Sequence, residues 1–204
     1  MAEPAANVAR GQLRDFLLAC LLWLPTAFLA WYWLAPAIQV GAWVVADLAR
    51  GLLLPQLVSA IEVDGRLFEV VTRIPASAAT PNAVLTFAVD PLIYSCGMPL
   101  FAGLCLASPG SFAATLGRLA AGILALVPVQ AFGVLMTILK MLAFDLVTDA
   151  GRAWAIGAGS REAIALAYQL SSLVLPGVAA LVLWALLNRD FVLQMTRRGP
   201  GPDS

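Results

Sequence analysis

Histidine is absent from all 204 residues. Without imidazole there is no Ser-His-Asp or Cys-His catalysis and no His-ligated metal site. Charge is scarce too. Asp, Glu, Lys and Arg make up 12% of the chain, where an ordinary soluble domain carries roughly a quarter. Twelve Lys+Arg are matched by twelve Asp+Glu, so no basic excess remains for nucleic-acid phosphates. The three cysteines, Cys20, Cys96 and Cys105, all lie in apolar runs, which leaves no disulfide framework in the polar loops. No metal and no cofactor is expected.

What remains is apolar. Hydrophobic residues reach 61% and mean hydropathy is +0.89. The class this implies is an α-helical integral membrane protein, a single membrane domain whose first partner is the lipid bilayer. A spanning helix needs roughly 20 apolar residues. Four runs qualify: 16–34, 91–107 (the shortest), 119–139 and 163–187. The first run is too long for the apolar part of a signal peptide, and Trp31-Tyr32-Trp33 reads as an interfacial anchor.

The Lys/Arg placement favours both termini in the cytoplasm. Arg10, Arg14, Arg118, Arg189, Arg197 and Arg198 then lie inside, in short tails and one short connection. Arg50, Arg66, Arg73, Lys140, Arg152 and Arg161 lie outside, three of them in a long loop.

That long external segment, 36–90, has two parts. Residues 37–58 are apolar around Asp47 and Arg50, which share a helix face and can pair. A fifth span would bury both charges, at about 2.5–3.5 kcal/mol each. A helix lying in the interface keeps them wet and is preferred. The second part reads as β structure. Residues 59–63 and 66–74 form a hairpin about Asp64-Gly65, with the positive φ values of a type I′ turn. Residues 75–82 are a loop, and 84–89 a third strand. A sheet of about 30 residues needs something to rest on, helices or a partner. Residues 140–160 suggest another interfacial helix ending in a turn at Gly157-Ala158-Gly159. The tail 197–204 reads as disordered.

No pattern names a reaction, so the candidate site residues are binding residues. Asp90 and Pro91 suit the N-cap and first position of a helix, and Asp90 also offers a contact. Tyr94 stands beside Cys96, which lacks a base to activate it. Gln130 and Gln169 are amides inside spans, suited to interhelical hydrogen bonds. Lys140, Arg161 and Glu162 form a charged belt at a membrane boundary, suited to snorkelling or to a partner. No catalytic residue is assigned.

The order of segments carries a resemblance. It runs LPTAFLAWYWLAP, ADLARGLL, FEVVTR, VDPLIYSCGMPLFAGLCLA, LVPVQAFGVLMTILKMLAF and REAIALAYQLSSLVLPGVAALVLWALLNR. Over nearly its whole length the chain resembles the exosortase H-associated membrane proteins of Gram-negative bacteria. The resemblance implies proximity to a membrane-embedded cysteine enzyme that processes proteins bearing a C-terminal sorting signal. Exosortases use a Cys, Arg and His set. A chain without histidine is not that enzyme. The implied role is an accessory protein of the inner membrane whose partner is an exosortase or a sorting-signal substrate. The alternative is a stand-alone membrane enzyme or carrier for a lipid-linked substrate.

Overall fold

A computed structural model describes residues 3–77, 80–145 and 157–197. The elements run α1 (Glu3–Leu53), β1 (Val58–Asp64), β2 (Leu67–Ser77), β3 (Thr80–Val89), α2 (Leu92–Ser95), α3 (Gly97–Ala107), α4 (Phe112–Lys140), α5 (Ala158–Gln169), α6 (Leu175–Leu187) and α7 (Arg189–Arg197). A π turn, Met141–Asp145, extends α4, and another, Leu170–Val174, joins α5 to α6. Pro176 lies just past the second π turn; without an N–H it cannot bond the Ser172 carbonyl.

Three helices are long and apolar enough to cross a bilayer: Gly11–Leu53, Phe112–Asp145 and Ala158–Leu187. Their outward leucines are bare. Leu21 is 73% exposed, Leu52 75%, Leu124 73% and Leu173 79%. Such a surface needs lipid around it. This is a membrane protein, mostly helical, with a small three-stranded sheet.

Several boundaries differ from the sequence-based expectation. The first span does not stop near residue 34 and give way to a separate interfacial helix. One helix continues to Leu53, through Pro36. A proline removes one donor, and a helix with apolar support tolerates that loss. The expected span 91–107 is two pieces, α2 and α3. Together they reach about 24 Å at 1.5 Å per residue, short of the roughly 30 Å of hydrocarbon. Met98, Phe101, Leu104 and Cys105 are all buried. The segment is apolar like a span and buried by its own chain like a core helix. The expected turn at 157–159 is helical from Ala158, with Gly157 as N-cap. Residues 146–156 and 198–204, which hold most of the expected interfacial helix and tail, lie outside the described residues. Arg197, the first residue of that expected tail, ends α7.

The chain falls into two compact units. One gathers Met1–Trp33, Gly97–Ala125 and Val178–Ser204; the other gathers Leu34–Cys96 and Leu126–Gly177. In the first, Cys20, Leu104 and Ala107 pack with Phe16, Trp23, Leu24 and Trp184. In the second, Val58, Ile61, Phe68, Val70 and Val89 of the sheet pack on Ala46, Ala131, Val134 and Ile138 of α1 and α4. The sheet therefore rests on helices of its own chain. Each buried Ile or Phe there contributes about 1.5–3 kcal/mol.

The sheet is antiparallel, in the order β1-β2-β3. Asp64 pairs with Leu67, so the turn residues are Gly65-Arg66, one position later than expected. Of these two, only Gly65 has positive φ, at 60°. Positive φ at the first turn residue alone is the type II′ pattern, in place of the expected type I′. The expected loop 75–82 is mostly strand, with Pro75 opposite Val84 and Ser77 opposite Thr80.

Glu62 stands directly opposite Glu69. Like charges across strands destabilise, and opposite charges contribute roughly 0.2–1 kcal/mol. A Glu62→Lys variant is expected to unfold at higher temperature in detergent, and an unchanged or lower midpoint would contradict the pairing.

Candidate functional site

Within the second unit, polar side chains gather where β3 hands over to α2. The segment opens with Asp90. Its Oδ1 accepts the Leu92 N–H at 2.9 Å, the cap expected from Asp-Pro. Pro91 follows in helical conformation, and its carbonyl accepts two donors: the Tyr94 N–H at 3.3 Å and Gln130 Nε2 at 3.1 Å. Gln130 is fully buried in α4, two residues after Pro128. It ties α2 to α4.

Tyr94 is 3% exposed. Its hydroxyl bonds Thr137 Oγ1. The Thr137 hydroxyl donates to the Gly133 carbonyl at 2.9 Å. A hydroxyl has one proton, so Tyr94 is the donor to Thr137. Gly133 makes room for the ring, since a Cβ there would lie 2.3 Å from it. Tyr168 of α5 neighbours the Tyr94 hydroxyl. Lys140 Nζ lies 5.7 Å from the centre of the Tyr168 ring and 2.7 Å from Asp145 Oδ2. The Tyr168 carbonyl accepts Ser171 Oγ at 2.9 Å and Ser172 Oγ at 2.8 Å.

Four of the seven sequence-selected residues thus converge here: Asp90, Tyr94, Gln130 and Lys140. The other three do not. Arg161, Glu162 and Gln169 are exposed on α5. Cys96 sits half-buried between α2 and α3. Thr137 was not singled out from sequence, and helical spacing from Gly133 is a weak signal for it.

Gln39 was missed for a clearer reason: an interfacial helix would have left it wet. It is 2% exposed, and neither side-chain polar atom has a partner. Gln130 Oε1 is also unpartnered. Among the described residues no group of His, Cys, Asp and Glu could hold a metal. The groups present are phenols, hydroxyls, an amide, one ammonium, and the carboxylates of Asp90 and Asp145, which are engaged by the Leu92 N–H and by Lys140. They suit hydrogen bonding better than proton abstraction at neutral pH.

A second feature of this unit bears on binding. Trp43 Nε1 donates to the Ile61 carbonyl at 2.6 Å, and Arg50 Nη1 donates to the Ser59 carbonyl at 2.8 Å. Arg50 Nε also pairs with Asp47 Oδ1 at 2.8 Å, as the three-residue spacing suggested. Ser59 and Ile61 are two apart, so both carbonyls leave the same edge of β1. Side chains of α1 therefore close that edge. At the other edge the register turns the main-chain groups of Thr86 and Ala88 outward. Among the described residues nothing bonds them.

A family model, Exosortase H-associated membrane protein, matches residues 10–191. The chain belongs to that family. No curated protein and no solved structure matches it. The family description ties the protein to the exosortase system and to the membrane.

The two buried glutamines are expected to answer mutation with opposite signs. Gln39→Leu removes an unpaired amide and should raise the thermal midpoint in detergent. Gln130→Leu removes one of the two donors to the Pro91 carbonyl and should destabilise by about 0.5–1.5 kcal/mol. Equal effects from both would contradict these environments.

Proposed function

We propose that this exosortase H-associated protein is a non-catalytic accessory subunit of the inner membrane. It binds the exosortase or its sorting-signal substrate and positions one for the other. The observation that carries this reading is the asymmetry of the sheet: β1 is closed by its own chain while β3 is open. An open edge of uncharged residues takes an extended peptide by main-chain hydrogen bonding. Asp90, Tyr94, Gln130 and Lys140 brace the helices under the sheet. Gln169, Arg161 and Glu162, exposed on α5, offer a second contact face for partner helices.

The topology that fits has four passes and both termini in the cytoplasm. Phe16 stacks on Trp184 at 5.8 Å and meets Phe191 at 5.2 Å. This contact supports a reading in which the start of α1 and the C-terminal helices share one membrane face, with an even number of passes between them. The pair α2 and α3 supplies the return that the three long helices lack.

Co-purification from native membranes in mild detergent tests the reading. Thr86→Pro removes an outward N–H while leaving the pairing with β2 intact. It should lower recovery of the exosortase or sorting-signal protein several-fold, and Gln169→Leu should lower it less. Cys96→Ala should leave recovery and sorting unchanged. Full recovery with Thr86→Pro would count against strand addition, and lost sorting with Cys96→Ala would favour an independent enzyme.

A further inference from the structure

The first unit holds a site that the proposed function does not use. Where α6 ends and α7 begins, Asn188 is 4% exposed and fully engaged. Its Nδ2 donates to the Trp184 carbonyl at 3.0 Å and to Cys105 Sγ at 3.7 Å. Its Oδ1 accepts from Arg118 Nη1. Trp184 Nε1 in turn donates to Ser108 Oγ at 2.9 Å, and Ser108 Oγ donates to the Leu104 carbonyl at 2.8 Å. This chain of bonds fixes the position of the Arg118 guanidinium.

Arg118 is half-buried, and among the described residues no carboxylate lies within ion-pair distance of it. One of its five N–H donors serves Asn188, which leaves the rest for a ligand. Gly110 clears the approach: a Cβ there would stand 2.7 Å from Arg118 Nη2. The guanidinium borders a cavity of about 380 Å³ with Asn188, Asp190, Gln194, Leu187 and Phe191 in its wall. A neighbouring cavity of about 250 Å³ shares Phe191 and Gln194 and adds Asp15.

Three features narrow the ligand. The site lies at the ends of two candidate spans, since α4 begins at Phe112 and the other span ends at Leu187. That is headgroup depth. A planar guanidinium with free donors suits a phosphate. Among the described residues, the carboxylates Asp190 and Asp15 make ion pairs only with their exposed neighbours, Arg189 at 3.7 Å and Arg14 at 3.3 Å. Such pairs are weak, so both carboxylates remain able to attract a cation and would repel a purely anionic ligand.

We propose that these adjoining cavities bind the headgroup of an amine-bearing phospholipid, its phosphate on Arg118 and its ammonium toward Asp190 and Asp15. The apolar walls, Leu187 and Phe191, lie along the start of the acyl chains. The site is separate from the sheet edge and does not depend on the accessory role.

Thermal unfolding of the full-length protein in neutral detergent tests it, because a ligand that binds the folded state raises the midpoint. The probes are short-chain phosphatidylethanolamine, short-chain phosphatidylglycerol and inorganic phosphate. Phosphatidylethanolamine should raise the midpoint at about tenfold lower concentration than phosphatidylglycerol, and Arg118→Gln should abolish that preference. If Arg118→Gln does not fold, Gly110→Leu, which fills the space beside the guanidinium, should weaken the response instead. A phosphatidylethanolamine response that survives in these variants, or equal responses to both lipids, would overturn the proposal. An Arg118-dependent response to inorganic phosphate alone would assign the site to a free anion and overturn its lipid part.

Discussion

An antiparallel sheet of three strands has two edges, and each must find hydrogen-bond partners. Here α1 meets that requirement for β1. The Arg50 guanidinium bridges Asp47 and the Ser59 carbonyl, and the Trp43 indole holds the Ile61 carbonyl. Charged donors to carbonyls are among the stronger hydrogen bonds, at about 1.5–3 kcal/mol. These contacts fix the strand against the helix. Once β1 is fixed, the hairpin register dictates which residues of β3 face outward. The open edge at Thr86 and Ala88 follows from the closed one.

The sheet is small, and its stability comes from the helices beneath it. Phe68 and Val70 are fully buried against α1 and α4. Below them, most polar groups in an apolar setting are satisfied by their own chain, with the Gln39 amide and Gln130 Oε1 as exceptions. Gln130 serves the Pro91 carbonyl, Tyr94 serves Thr137, and Thr137 serves Gly133. Such a braced platform holds an edge still without moving protons, which suits recognition. The chain has no histidine, and its family description links it to the exosortase system.

Much of this was legible in the sequence. Low charge and long apolar runs fixed the membrane class. The Asp90-Pro91 cap, the Asp47–Arg50 pair and a hairpin at Gly65 were all readable from local spacing, because each depends on neighbours a few residues away. The misreadings share a cause. Hydropathy cannot separate burial in lipid from burial in protein, so the break of 91–107 into α2 and α3 was hidden. A proline reads as a boundary, so the passage of α1 through Pro36 was hidden. With that passage hidden, Gln39 looked wet. The closure of β1 by Trp43 and Arg50 was beyond reach, since it depends on a helix and a strand meeting across a turn.

The most direct test places a photo-crosslinking amino acid at Thr86 on β3 and, separately, at Val63 on β1, in cells that carry the sorting system. Adducts are then identified by mass spectrometry. The account predicts that position 86 captures the exosortase or a sorting-signal protein and that position 63 does not. Capture at 63 alone, or equal capture at both, would contradict it.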